Sequence, residues 1–493
     1  MHSLIKESWY EILVTTIYII NFLAIINLIF REKRSIEATV AWVLVLTTAP
    51  AIGCILYIAV GRGISKNNMF KIKEAEDKIL KENIIDTQIK LDRNDNFEPN
   101  LIGYKDMIYA LANSSNSHFT TNNDVEIFPE PNDFFESLLE ELKKAKHHIN
   151  IQFYIFKDDE IGNKIIDILI DKAQNGVEVR LLYDAVGSRL FSDKSIHKLK
   201  KSGVKVGAFF PSFMKVINFN LNYRNHRKIV VIDGNVGFIG GNNIGDEYLG
   251  KDPKFGYWRD THLKITGDSV KDLNIRFILD WRYTTKEDLV LDKYFGNETL
   301  RLSNSKACKD IGIQIVSSGP DSTELDEIKY GYIKMIQKAK KYIYIQTPYF
   351  ILDKTLTDTL KIACFSGVDV RIMIPSKPDH PFVYWASSSY AGELLKYGAK
   401  LYNYDHNAFL HAKTIVVDDC VCSIGTANMD IRSFELNFEI NAFMYSSEVA
   451  KKQRAIFEND ILKSKEITLD MYNSRSRYMR LKESISRLLS PIL

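Results

Sequence analysis

Cysteine is scarce and scattered in this chain. Cys54, Cys308, Cys364, Cys420 and Cys422 are the five in 493 residues, an odd number with one close pair, so neither a disulfide framework nor a zinc-type set of C-x-x-C pairs is indicated. Proline and glycine are also sparse, 12 and 25 residues, which excludes collagen-like and low-complexity architectures. Charge of one sign is lacking as well: 65 Lys and Arg stand against 62 Asp and Glu for a net +3, and no basic stripe with interleaved aromatics stands out. Nothing therefore singles out nucleic acid as a partner. With no H-E-x-x-H helix and no Asp-rich loop, no metal and no other cofactor is implied. What is present is an ordinary globular balance, 45% hydrophobic and 26% charged, with length for about three folding units.

Hydrophobicity is concentrated at the start. Ile12 to Phe30 runs without a charge, long enough for a ~30 Å hydrocarbon core, and is preceded by Trp9 and Tyr10 as interfacial aromatics. A second uncharged run, Thr39 to Gly61, follows a short charged loop, so residues 1–62 read as a transmembrane helical hairpin, helices about 9–30 and 39–61, with Pro50 and Gly53 set to kink the second arm. A weak n-region, Lys6 beside Glu7, and the lack of an A-x-A site favour a retained anchor over a cleaved signal. The loop carries Arg31, Lys33 and Arg34. The other side carries Lys6, Arg62, Lys66, Lys71 and Lys73, which favours a multi-pass cell-membrane protein with a cytoplasmic body. Residues 63–124 turn polar and read as a linker region.

Beyond the linker the chain repeats itself. KAKHHINIQFYIF from Lys144 answers to KAKKYIYIQTPYF from Lys338, and GVEVR from Gly176 to GVDVR from Gly367. HRKIVVIDGNVGFIGGNN from His226 answers to HAKTIVVDDCVCSIGTAN from His411. Each half alternates helix with apolar strand, which predicts two similar α/β sandwich halves, 125–295 and 296–470, related by pseudo-twofold packing around one cleft.

Within the repeat, His226 and Lys228 are two apart on a β-branched stretch and share one face of a strand, as do His411 and Lys413. Asp233 and Asp418 complete the motifs but fall on the other parity. Asp233-Gly234 is a hairpin-turn signal, so these carboxylates are expected to fix turns rather than touch substrate. Both copies then reach small-residue turns, Gly240-Gly241-x-Asn243 and Gly425-Thr426-x-Asn428, where backbone and amides can approach a phosphate oxygen. Cys420 and Cys422 read as packing residues, and His147-His148 as exposed at a helix end.

The doubled pattern H-x-K-x4-D-x6-G-[G/T]-x-N resembles the phospholipase D superfamily, whose members join two such motifs into one active site. More narrowly, ATVAW and LYIAVGR in the hydrophobic hairpin, GGNNIGDEY, Tyr257 to His262, Asn428 to Phe434 and the late Ser490-Pro491 are similar to the bacterial cardiolipin synthases. The resemblance implies a catalytic set of His226, Lys228, Asp233, His411, Lys413 and Asp418. One histidine would form a phosphohistidine and the other act as acid, then base; His226 is favoured as nucleophile. It also implies a carboxylate against each imidazole, for which the downstream strand of each half offers Asp260 and Glu439; Asn243 and Asn428 are supporting residues. The residue types suit the chemistry, since phosphodiester cleavage asks for a nucleophile, an acid for the leaving alkoxide and cations for the phosphoryl oxygens.

The implied activity is transfer of a phosphatidyl group from one phosphatidylglycerol to another, giving cardiolipin and glycerol, with membrane lipid as partner and no nucleic acid. A hydrolytic phospholipase D, a membrane-tethered phosphodiesterase and a non-catalytic lipid scaffold stand as alternatives, and the sequence leaves the oligomeric state open. Phe209-Phe210-Pro211 and Phe382 to Trp385 are candidate acyl or lid contacts. Residues 471–493 form a basic amphipathic segment, either lying on an anionic membrane surface or packed on the catalytic body.

Overall fold

The computed structural model describes residues 2–30, 36–60, 99–211, 223–289, 291–294, 310–321 and 326–490. The first helix, His2–Phe30, contains the span Trp9–Phe30, long and apolar enough to cross a membrane. Its partner arm is two helices, Ile36–Thr48 and Pro50–Val60, rather than the single one expected to about 61, of which Gly61 lies outside the described residues. The break has a defined cause. Pro50 has no N–H to offer the carbonyl of Leu46, and Asn21 of the first helix fills that place by donating to Leu46 O at 3.0 Å and Pro50 O at 2.9 Å. Leu28, Trp42 and Leu46 pack beneath it, and Trp42 meets Tyr57 edge-on at 5.5 Å.

Of the expected linker, residues 63–98 lie outside the described residues, but 99–124 are built into the body. The helix Lys105–Ser115 buries Met107, Ile108 and Leu111 in the core of the second half. Phe119–Thr120 then adds a strand to one sheet and Asn123–Phe128 a strand to the other. Residues 99–124 are therefore not the linker expected, because a regular apolar stripe lies inside a polar-looking stretch.

The two halves carry the same sheet. In the first, strands run in the order Asn123–Phe128, His262–Gly267, Val236–Gly240, Ile229–Ile232, His148–Phe153, Glu178–Asp184, Lys205–Phe209. In the second, the order is Gly312–Ser318, Asn437–Tyr445, Val421–Gly425, Thr414–Val417, Tyr342–Gln346, Asp369–Ile374, Lys400–Asn403, extended by Phe119–Thr120 and Lys465–Ile467 at its edges. The parallel pairs are bridged by helices capped in the same way. Asp159 accepts from the Gly162 N–H before Glu160–Gln174, and Asp353 from the Leu356 N–H before Lys354–Phe365.

A core of residues from both halves, including Leu182, Ile229, Leu263, Tyr344, Val416 and Ile440, joins the sheets. Phe209 and Phe210 belong to it, packed on Phe438 at 5.4 and 6.0 Å, so they are not the lid or acyl contacts expected of exposed aromatics. His148 also departs from expectation: it is buried as the first residue of its strand while His147 is exposed, and burial pushes its imidazole down to about 4.

Candidate active site

Two short parallel strand pairs build the site. Arg224-Asn225, just before His226, pairs with Asn437-Phe438, and the His226 N–H donates to Phe438 O at 2.9 Å. Ala408–Leu410, just before His411, pairs with Tyr257–Arg259, and the His411 N–H donates to Arg259 O at 2.7 Å. Each pair joins one half to the other. The next residue along each partner strand is a carboxylate: Glu439 lies beside His226, and Asp260 beside His411.

The imidazole of His226 therefore donates from Nδ1 to Glu439 Oε2 at 2.9 Å, with Oε1 at 3.0 Å, and His411 Nδ1 donates to Asp260 Oδ2 at 2.6 Å. Sequence order suggested a carboxylate from each histidine's own half. The pairing is crossed, because the strands that carry the carboxylates are held against the opposite half. Nδ1 is thus committed to a carboxylate in both rings, and both histidines line one cavity of about 460 Å³.

Burial governs the charges. It drives the His226 imidazole below its ordinary range against the pull of Glu439; burial together with the Lys413 ammonium takes His411 down to about 4. Burial likewise lowers Lys228 to about 7 and Lys413 to about 8. The same burial would raise the two carboxyls, but Lys413 and His411 hold Asp260 below the usual carboxylate range, and His226 and Lys228 do so for Glu439. The lysines differ in placement. Lys228 Nζ donates to His226 O at 2.7 Å, whereas Lys413 Nζ sits 2.8 Å from His411 Nδ1 as well as on the His411 carbonyl.

Asn243 and Asn428 also line the cavity. Asn243 is oriented by accepting from the Ile155 N–H at 3.0 Å and donating to Tyr248 Oη at 2.6 Å. Asn428 donates its backbone N–H to Ser433 Oγ at 3.2 Å. Asp233 and Asp418 are at the opposite ends of their strands from the histidines. Asp233 accepts from the backbone N–H groups of Lys146, His147 and His148 at 2.8, 2.8 and 2.9 Å, and Asp418 from those of Lys340, Lys341 and Tyr342 at 2.6, 2.9 and 2.8 Å. They hold sheet ends in place and touch nothing in the cavity. Both adopt positive φ, 53° and 54°, as the turn demands.

The small-residue turn has a steric purpose. A Cβ on Gly241 would lie 1.9 Å from Asp260 Oδ1, so this glycine makes room for the carboxylate of the His411 pair. Sequence reading missed several further residues. Arg224, Arg432, Tyr154, Trp258 and Tyr349 line the cavity. Behind it, Arg227 Nη1 donates to both carboxylate oxygens of Asp280 at 2.7 and 2.8 Å, and Nε and Nη2 donate to the carbonyls of Glu439 and Ser318, while Arg259 pairs with Asp460 at 2.9 Å. Both buried guanidiniums tie the halves together next to a catalytic-motif residue. The sequence signal for Arg227 is its position one residue after His226; Arg259 stands one before Asp260 inside the Tyr257 to His262 motif, to which no role was given.

The chain matches the family described as cardiolipin synthase, PLD-like domain, over residues 138–253 and 332–461, and the phospholipase D-nuclease N-terminal family over residues 19–62. The cardiolipin synthase of Oceanobacillus iheyensis is 47% identical over 479 residues, 97% of this chain and 98% of that one. The major cardiolipin synthase of Bacillus subtilis is 48% identical over 487 residues, 98% and 99% of the two chains. A crystal structure of phosphatidylserine synthase from Haemophilus influenzae shares the fold with a TM-score of 0.60 at 17% identity, covering 79% of this chain and 100% of that one. Near-full-length identity, the duplicated domain and the doubled histidine site agree: this chain belongs to the bacterial cardiolipin synthases, phosphatidyltransferases of the phospholipase D superfamily.

Proposed function

We propose that the cavity takes the phosphodiester of phosphatidylglycerol and transfers its phosphatidyl group to a second phosphatidylglycerol. His226 Nε2 attacks phosphorus, the bond to the glycerol oxygen breaks, and His411 gives that oxygen its proton, releasing glycerol. The glycerol hydroxyl of a second phosphatidylglycerol then loses its proton to His411 and attacks phosphorus, breaking the P–N bond and leaving cardiolipin. Arg224 and Arg432, which line the cavity, together with Lys228 and Lys413 beside the two histidines, would supply positive charge to the phosphoryl oxygens as negative charge develops there.

The observation that carries this reading is the crossed pair of His–carboxylate contacts in one cavity. An asymmetry between the two histidines supports this division of labour. His226 has both oxygens of Glu439 near Nδ1, which supports a nucleophile. His411 has the Lys413 ammonium beside Nδ1, which makes its imidazolium a stronger acid. A lipid diester rather than nucleic acid as substrate is supported by the apolar helix Trp9–Phe30 and the small net charge. The helical N-terminal arms and their flanking basic residues support a multi-pass membrane protein with its body in the cytoplasm.

The test is to incubate detergent-purified protein with labelled phosphatidylglycerol alone and follow lipid and water-soluble products together. Cardiolipin with equimolar glycerol is expected. Phosphatidic acid with glycerol would make the acceptor water and the enzyme a hydrolase.

A further inference from the structure

The C-terminal helix Arg477–Leu489 is packed inside out. Its fully buried residues are Glu483 and Ser486, 4% and 0% exposed, while Tyr478, Leu481, Ile485 and Leu488 stand 65%, 57%, 45% and 67% exposed. These four recur at i, i+3, i+7 and i+10, a single stripe down one helix face. A helix on a water-facing surface shows the reverse arrangement, and a contiguous apolar stripe of this kind asks for a cover.

Its position names the cover. The helix lies along Pro381–Leu394, held by Arg487 to Glu393 at 2.7 Å, by Lys482 Nζ over the Trp385 ring at 4.7 Å and by Tyr390 Oη with Ser490 Oγ at 3.1 Å. At one end of that partner helix His380 and Val383 line the catalytic cavity, as does Ser490 at the end of the C-terminal helix. Phe382, 47% exposed, adds an exposed apolar residue between His380 and Val383 in the chain. Exposed Arg477 and Arg480 flank the stripe.

We propose that the face Tyr478, Leu481, Ile485 and Leu488 lies in the interfacial region of an anionic bilayer, setting the cavity mouth against the lipid so that a phosphatidylglycerol headgroup reaches the histidines without leaving the membrane. The inference rests on the lipid-diester reading of the cavity. Three features select a bilayer over other covers: the helix that carries the stripe ends at Ser490 on the cavity wall, arginines that match anionic headgroups edge the stripe, and the chain carries an apolar helix of membrane-crossing length.

Full-length Leu488→Trp protein, reconstituted in vesicles of phosphatidylglycerol and phosphatidylcholine, tests the placement after subtraction of the wild-type signal. A blue-shifted emission, quenched by lipids brominated along the acyl chain, is expected. Emission typical of water, or a blue shift without bromolipid quenching as a second copy or another segment of the chain would give, overturns the proposal.

The triple variant Leu481→Asp, Ile485→Asp, Leu488→Asp tests the consequence. Its rate on those vesicles is expected to fall by about tenfold or more while its rate on monomeric short-chain phosphatidylglycerol stays near wild type. An equal fall on both substrates would mark the stripe as structural and refute the assignment. Failure of both substrates in the wild type would instead count against the lipid-diester reading itself.

Discussion

Glu439, on a strand of the second half, accepts the Nδ1 proton of His226, which directly follows the short strand Arg224-Asn225 of the first, at 2.9 Å. The reciprocal contact, Asp260 to His411 at 2.6 Å, makes each imidazole of the cavity depend on the other half for its tautomer and basicity. The site exists only when the two halves are docked, and the buried pairs Arg227–Asp280 and Arg259–Asp460 stand behind the same contacts.

Replacing Glu439 by Gln, or Asp260 by Asn, keeps the shape and removes the charge that supports the imidazolium. Each is expected to lower kcat by about 10²-fold or more with thermal unfolding little changed. The two acids also separate the histidine roles. With a diester bearing a nitrophenolate leaving group, which leaves without protonation, His411→Ala should still form the acid-labile phosphoenzyme and His226→Ala should not. Phosphoenzyme in the His226 variant would reverse the assignment.

The lysines set an opposite pH dependence for activity and stability. Lys228 and Lys413, lowered to about 7 and about 8, lose their positive charge just above neutrality, so kcat/KM should fall on the alkaline side across that range. For stability the sign is reversed. The unfolded chain holds these protons up to the ordinary lysine range while the folded chain has released them, so the unfolding free energy they govern rises with pH from about 7 upward. Activity and denaturant midpoint followed on one buffer series check both slopes, with Lys228→Met and Lys413→Met flattening the second.

Gly241→Ala places a methyl where Asp260 Oδ1 sits, 1.9 Å from the new Cβ. The carboxylate must move off His411, and activity should drop by about 10²-fold, comparably to Asp260→Asn. Gly176, whose Cβ would meet nothing within 4 Å, is the control for space, although its φ of 87° makes alanine there strained. A Gly241→Ala enzyme of normal activity would show that the carboxylate tolerates displacement.

Asp233→Asn removes a charge that accepts from three successive backbone N–H groups. The expected loss is about 1–3 kcal/mol of stability, read by chemical denaturation, with kcat of the folded enzyme changed far less than by His226→Asn. Asp418→Asn should behave in the same way.

Asp280→Asn leaves the buried Arg227 guanidinium without the carboxylate that both bonds from Nη1 reach. A loss of about 3–5 kcal/mol is expected, and the double variant Arg227→Met, Asp280→Leu should recover part of it. A double-mutant cycle by calorimetry measures the coupling.

Local pattern alone made much of this protein legible. Repeated segments gave two equivalent sheets, because alternation of apolar strand and amphipathic helix is a short-range property. The doubled H-x-K motif marked both segments of the site, although His226 to Lys228 and His411 to Lys413 lie in the links between successive strands rather than on one strand face as expected, and Asp233-Gly234 marked a turn through backbone sterics at positive φ. The crossed carboxylates, the buried Arg227 and Arg259, the room that Gly241 makes for Asp260, the burial of Phe209 and Phe210, and the folding of Lys105–Ser115 into the second half were not legible. Each depends on which surfaces meet when the halves dock, a choice made by long-range packing and strand register that no local period encodes.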